Sequence, residues 1–339
     1  MPSLKQTLVR NVALPIAYQL GLDRWLRKRG GNPYLILCYH GVDHKSSMPY
    51  TGRHISGAVF EKHLQYFRKH FEVVSLQEIF RMHATGVVPT KPTIAITFDD
   101  GYENNYSVAL PLLEKYQMPA SYYISGICVE QPDYVIWADI LDVIRVHRAE
   151  AGIQYGEYDF RPVGTALWDD TKQKNIYDFI KELPVGERDE VLAEIRAQYK
   201  FDALVEKHEV EYFRLMNPEQ LKACADSDLI EIGVHGYRHY NLAYIKPEEA
   251  ASEIGNAKKL LEDCCQQEVL SIAFPDGNYN AKVKDISKEL GLRYLLAENY
   301  LLANEANEPD ILQRVSISGT TNYYSQILFI NQQFQQLGF

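Results

Sequence analysis

The sequence predicts an α/β fold organised on a parallel sheet, either a barrel or a doubly wound sheet. Three observations carry this. Short apolar or β-branched runs alternate with segments of helical period. The runs are apolar at successive positions, as in strands covered on both faces. Polar, chemistry-bearing residues follow the C-terminal ends of several runs, where the loops of a parallel barrel converge.

Residues 1–31 read as an amphipathic helical extension. Leu4, Leu8 and Val12, then Ile16, Leu20, Trp25 and Leu26, recur at helical spacing, and Pro15 breaks the segment into two short helices. Lys5, Arg10, Arg24, Arg27, Lys28 and Arg29 stand against one acid, Asp23. A helix pair covering one end of the sheet is the first expectation; peripheral contact of residues 1–30 with an anionic membrane is the second.

A unit made of residues 32–126 and 216–325 carries the alternation. Tyr34 to Tyr39 is a strand, and Phe60, Leu64, Phe67 and Phe71 mark a core-facing helix. Ser75 with Glu78 has the capping-box pattern that opens a helix over roughly 76 to 84. Thr93 to Phe98 is a buried strand, followed by a helix near 105 to 117 and a strand at Ser121 to Ile124. The pattern resumes with strands at Leu229 to Val234, Leu270 to Phe274, Arg293 to Ala297 and Gln313 to Ile317, with helices near 247 to 263 and 280 to 290. Residues 127–215 interrupt it as a mainly helical insertion in which GIQYGEYDF suggests one short hairpin strand, and 326–339 form a C-terminal tail.

Composition narrows the function. In 339 residues, 35 Lys and Arg face 45 Asp and Glu, and the net charge of −10 has the wrong sign for a phosphate-backbone binder, so no nucleic-acid partner is expected. The five cysteines are an odd, scattered set with no CxxC spacing, which argues against a disulfide framework. The apolar stretch from Val12 to Leu22 is short and broken by Pro15 and Gln19. A cytoplasmic location is the expectation, with peripheral contact on the inner face of the membrane as the second reading.

The chemistry gathers after four strands: His40, the pair Asp99-Asp100, His235 with His239, and Pro275-Asp276-Gly277-Asn278. Adjacent carboxylates raise one another's pKa unless a cation compensates. Asp100, His235 and His239 offer one oxygen and two imidazole nitrogens, the donor mix of catalytic zinc sites, which leaves Asp99 free as a base. An HxxxH pair alone is weak evidence, and an isolated Asp-Asp-Gly is ordinarily a turn. Their joint occurrence at strand ends is the stronger signal.

These residues resemble the polysaccharide deacetylase, or NodB-homology, family of carbohydrate esterases. The likeness rests on TFDDGY (97 to 102), HGYRH (235 to 239) and FPDGNYN (274 to 280); YHGVD (39 to 43) ahead of F-x-x-x-L-x-x-F (60 to 67) is similar to the poly-N-acetylglucosamine deacetylase branch. The resemblance implies a distorted (β/α)7 barrel and a metal-dependent hydrolase, with zinc first among divalent metals, that removes N-acetyl groups from an amino sugar in a polysaccharide or a lipid- or nucleotide-linked glycan precursor. Residue by residue, it implies Asp99 as base, Asp100, His235 and His239 as metal ligands, and His40 as the acid serving the departing amine.

Gly101 and Tyr102, and Pro275, Asp276 and Gly277 of the third motif, are expected on the substrate side. Trp137 is expected to wall the cleft or to anchor the insertion on the barrel. Where the family's third motif commonly carries an Arg that contacts the base, this chain has Ala273, and Arg314 in LQRVSI is the expected substitute. Gly236 and Tyr240 are further departures, standing where Ser or Thr and Pro are usual. O-deacetylation or deformylation of a related sugar, a catalytically degenerate glycan-binding barrel, and Fe(II) chemistry remain as alternatives. The remaining histidines, His54 and His63 among them, are expected in solvated loops or polar helix faces.

Overall fold

Eight parallel strands wrap into a nearly closed barrel: Tyr34–Tyr39 (β1), Thr93–Phe98 (β2), Ala120–Ile124 (β3), Ile230–Val234 (β4), Ser271–Ala273 (β5), Tyr294–Ala297 (β6), Ile311–Gln313 (β7) and Val315–Ser316 (β8). The computed structural model describes residues 9–28, 31–44, 52–147, 152–163, 166–208 and 212–335. The strand order is β7-β6-β5-β4-β3-β2-β1-β8, and the short strand Glu72–Val73 adds beside β2. β7 pairs with β6 through Leu296 and Leu312, whereas β8 pairs with β1 through Leu37 and Val315. Only Arg314 separates β7 from β8, so the two are halves of one run that changes neighbour at that residue. Counted as one broken strand, they give the seven-stranded ring that the family resemblance implies.

Alternation along the strands separates two faces. Leu35, Leu37, Ile94, Ile96, Phe98, Ile230, Ile232 and Val234 belong to the large cluster packed against the outer helices. Ile36, Ala95, Tyr123, Ala273, Leu296 and Leu312 point the other way, into a second cluster with Leu76, Ile79 and Phe80. Helix Leu76–Thr85 therefore plugs the barrel's N-terminal end. Two residues further along the same inward rows come Cys38, Thr97, His235 and Arg314, so the apolar floor gives way to a polar layer near the C-terminal mouth. Gly233 is required inside this barrel: a Cβ there would lie 2.4 Å from the Tyr123 ring.

The helix starts follow local chemistry. The Ser75 side chain accepts from the Glu78 backbone N–H at 3.2 Å, as predicted. Only half of the capping box forms, because the Glu78 carboxylate pairs with Arg81 instead. The predicted helix near 105 to 117 opens as a wide turn, Asn105–Ala109, before helix Leu110–Tyr116.

Between β3 and β4 the chain forms helices Trp137–His147, Ile176–Glu182, Val185–Gln198 and Phe201–His208. It also forms a four-stranded antiparallel sheet over 153–175, where the sequence predicts a single short strand. Those strands are two to six residues long and largely polar, and only Ile153, Phe160 and Leu167 bury apolar side chains there. Their signal is in pairing rather than in local period.

At the N-terminus, helices Leu14–Gln19 and Leu22–Lys28 pack on the outer helices Gly57–His70 and Tyr323–Gln333. The Tyr66 hydroxyl donates to Asp23 at 2.6 Å, and Arg27 donates to Tyr66 and to Asn331. No helix of the described residues is long and apolar enough to cross a membrane, and the five cysteines are free thiols.

Candidate active site

The end of β2 turns sharply. Asp100 and Gly101 both take positive φ, 75° and 85°, a backbone conformation a non-glycine residue adopts at a cost. The turn aims two successive carboxylates at the barrel axis. Arg314 meets Asp99 with both arms of its guanidinium, Nη1 to Oδ1 at 2.6 Å and Nη2 to Oδ2 at 2.7 Å. This is the two-point geometry in which arginine holds a carboxylate best. Burial alone would raise the Asp99 pKa; the facing Arg314 charge outweighs it and lowers the value to about 2. The Cys38 thiol donates to the same carboxylate at 3.4 Å.

Beside it, Asp100, His235 and His239 bring one donor atom each within 4.8 Å of one another. His239 Nε2 lies 3.1 Å and His235 Nε2 3.5 Å from Asp100 Oδ1. His235 Nδ1 sits 2.8 Å from the Ala273 carbonyl, an acceptor only, so that nitrogen carries the proton and Nε2 keeps its lone pair toward Asp100. Both oxygens of Asp100 are buried without a hydrogen-bond partner, an expensive condition unless a further group meets them. The unpartnered Asp100 oxygens, with the His235 and His239 Nε2 atoms turned toward Oδ1, make an oxygen-and-imidazole set that fits a divalent cation of zinc type. Burial opposes charge on Asp100, but His235 and His239 outweigh it and hold the carboxyl well below its usual range. Burial likewise opposes charging His235, and Asp99 and Asp100 overcome it and raise its proton affinity. Cys38, His40 and Asp99 are equally close to one another, but Arg314 already bonds both Asp99 oxygens.

These groups line a cavity of about 340 Å³ whose walls also include Arg53, Lys181, Asp276, Gly277 and Glu298. His40 lies within it. Burial pushes its pKa down to about 4 despite Asp100 and Asp99 nearby, so the ring is neutral at rest, unlike the ordinary imidazole that the acid role suggests.

The sequence profile of the polysaccharide deacetylase family matches residues 86–153 and 186–295, more than half of the chain. The chain belongs to the polysaccharide deacetylase family. YxkH of Bacillus subtilis (strain 168) is 20% identical over 295 residues, 87% of this chain and 75% of that protein. Poly-β-1,6-N-acetyl-D-glucosamine N-deacetylase of Escherichia coli (strain K12) is 25% identical over 101 residues, 30% of this chain and 15% of that protein. Among solved structures, Streptococcus pyogenes deacetylase PplD in complex with acetate superposes with a TM-score of 0.56 at 18% identity, covering 89% of this chain and 98% of that one. IcaB from Ammonifex degensii gives 0.55 at 16% identity with the same coverages. These likenesses carry the fold.

Within this member of the family, the structure brings Asp99, Asp100, His235, His239, His40, Arg314, Asp276 and Gly277 to one cavity. Tyr102 and Trp137 stand apart from it. Tyr102 is fully buried and its hydroxyl donates to Asp139 at 2.9 Å, so its ring has no face for a sugar. Trp137 is 2% exposed, and its indole N–H donates to the His239 carbonyl at 3.2 Å. Of the two expectations for Trp137 the anchor holds, because helix Trp137–His147 buries nearly its whole first face. Pro275 is buried, and Gly277 has a positive φ of 64° with Glu298 Cβ 2.5 Å from where a side chain would start.

His54 and His63 are buried rather than solvated. His54 Nδ1 meets Asp43 at 3.0 Å and His63 Nδ1 meets the Tyr39 hydroxyl at 3.0 Å. Cys38, Arg53, Lys181, Glu298 and Ser316 line the cavity without having been singled out in the sequence, Arg53 and Lys181 being the two cations among them. Arg53 bonds Asp139 and Asp142 of the insertion, and Lys181 pairs with Asp276 at 3.1 Å. No motif surrounds either residue; each reaches the mouth through tertiary packing alone.

Proposed function

We propose that the protein is a metal-dependent N-deacetylase that releases acetate from an N-acetylated amino sugar in a glycan. One observation carries the reading: a buried, convergent Asp100–His235–His239 donor set beside a separate carboxylate, Asp99, held ionised by Arg314. A divalent cation held by those three residues, zinc first, would polarise the acetamide carbonyl and acidify a water. Asp99 is the base that takes the water's proton. His40, neutral at rest, receives a proton during the reaction and delivers it to the departing amine; a donor atom of Asp99 lies within 4.8 Å as its source. Acetate and a free amino sugar leave.

The cavity shares Lys181, Asp276, Gly277 and Glu298 with a neighbouring one of about 330 Å³ that adds Asn241, Tyr244, Asn278 and Asn299. Amides and carboxylates of this kind suit sugar hydroxyls, and the half-exposed Tyr244 ring offers a stacking face. The continuous groove supports a substrate longer than one sugar.

The test is acetate and free-amine release from N-acetylglucosamine oligomers of increasing length, before and after chelation and with zinc restored. Equal release of both products that rises with length, stops on chelation and returns with zinc is expected. Release unaffected by chelation, or acetate from O-acetylated sugars with no new amine, would overturn it.

A further inference from the structure

The N-terminal helix pair is built inside out for a helix facing water. Its inner face is fixed to the barrel by polar and aromatic contacts: Asp23 accepts from Tyr66, Arg27 donates to Asn331, and the Tyr18 ring packs on Tyr66, Tyr323 and Tyr324. Its outer face is apolar, with Val9, Val12, Ile16, Leu20, Leu22 and Trp25 all exposed, Leu20 by 83% and Ile16 by 50%. Val12, Ile16 and Leu20 follow one another at i+4, and Leu4 and Leu8 continue that spacing in the sequence, outside the described residues. The hydrogen bonds on the inner face keep this stripe from rolling inward, and an exposed apolar patch of this kind marks an interaction surface.

Charge selects the partner. Arg24 and Lys28 are exposed on the second helix, whereas the segment's acid, Asp23, is 3% exposed and already bonded to Tyr66, so it offers little opposing charge to the outside. The chain as a whole carries −10. A second copy docking face to face would bring this basic stripe against itself. An anionic lipid surface satisfies both features, because the apolar row enters the acyl boundary while the cations meet the headgroups, and the acidic remainder of the protein is repelled.

We infer that residues 9–28 are a membrane-surface anchor that docks the barrel on an anionic bilayer. Tyr18 rests on Tyr323 and Tyr324 at the start of the helix that follows β8. The anchor runs along that helix, from Tyr18 at Tyr323 and Tyr324 to Arg27 at Asn331. The inference stands on the helix pair alone and does not depend on the reaction proposed above.

The full chain is sedimented with vesicles of phosphatidylcholine containing phosphatidylglycerol, and with phosphatidylcholine alone. Binding roughly 10-fold tighter to the anionic vesicles and weakened by salt is expected, with a blue shift of emission that disappears in Trp25→Phe. Ile16→Glu combined with Leu20→Glu should lose binding by about 10-fold or more with unchanged thermal unfolding, since both side chains are solvent-exposed. Arg24→Glu with Lys28→Glu should erase the preference for the anionic lipid. Equal partition to both vesicles, or wild-type binding by the Ile16/Leu20 variant, would overturn the inference. So would a dimer in sedimentation velocity that the same variant dissociates while lipid binding is absent.

Discussion

Arg314 reaches Asp99 from the single-residue break between β7 and β8, so the residue at which the barrel changes strand partners also sets the charge of the carboxylate. The inward parity of Leu312 passes to Arg314 two positions on, and β8 runs beside β1, next to β2, whose last residue Phe98 precedes Asp99. Ala273, on the far side of the barrel, contributes its backbone carbonyl to His235 and leaves its short side chain in the apolar floor. The cation thus comes from a different strand than the one the third motif marks.

Replacing Arg314 by Met removes the facing charge that most opposes burial at Asp99, so its pKa climbs from about 2. The acid limb of the kcat/KM profile should move up, and activity at pH 5 should fall more than at pH 8. Losing one partner of this buried pair should also cost about 3 kcal/mol of stability, part of which Asp99→Asn restores in the double variant. An unmoved acid limb would show that Arg314 does not hold the base ionised.

Much of the site was legible because its residues follow apolar runs in the chain: the sequence places Asp99, Asp100, His235 and His239 one or a few residues past a buried strand, and a parallel barrel brings such ends together. Arg314 was legible only through the family resemblance, whose third motif carries an Arg where this chain has Ala273. Arg53 and Lys181 were not, because one belongs to a loop and the other to the insertion, and only packing brings them to the mouth. His54 and His63 misled for the same reason, since their partners Asp43 and Tyr39 lie 11 and 24 residues away and no local period announces them.

Asp99→Asn should separate binding from chemistry. It removes the base without touching the Asp100 donor set, so turnover should fall by about 10²- to 10⁴-fold while zinc bound per chain, measured by elemental analysis, stays at the wild-type level. His235→Ala should lose the zinc as well as the activity. Near-normal turnover in Asp99→Asn would remove that residue from the base role.

Zinc affinity should fall as pH drops. His235 has a raised proton affinity because Asp99 and Asp100 face it, so it remains protonated to higher pH than an ordinary histidine, and a cation must displace that proton. Calorimetric titration of the metal-stripped protein at descending pH should show roughly a 10-fold loss of affinity per unit for each proton displaced, beginning above pH 6.5. An affinity flat between pH 8 and 6 would mean that His235 is not a ligand.

Trp137→Phe tests whether the insertion serves the donor set at a distance. The indole N–H holds the carbonyl of His239, a residue already at a positive φ of 59°, and thereby fixes the backbone from which that imidazole projects. Phe preserves most of the buried ring but cannot donate. Zinc affinity, read by competition with a chromophoric chelator, should weaken by about 10-fold, in the range typical of groups that orient a ligand, and the variant should regain turnover at saturating zinc. Unchanged affinity with lowered thermal stability would reduce Trp137 to a packing residue, because loss of the ring's fit alone would destabilise the insertion without moving His239.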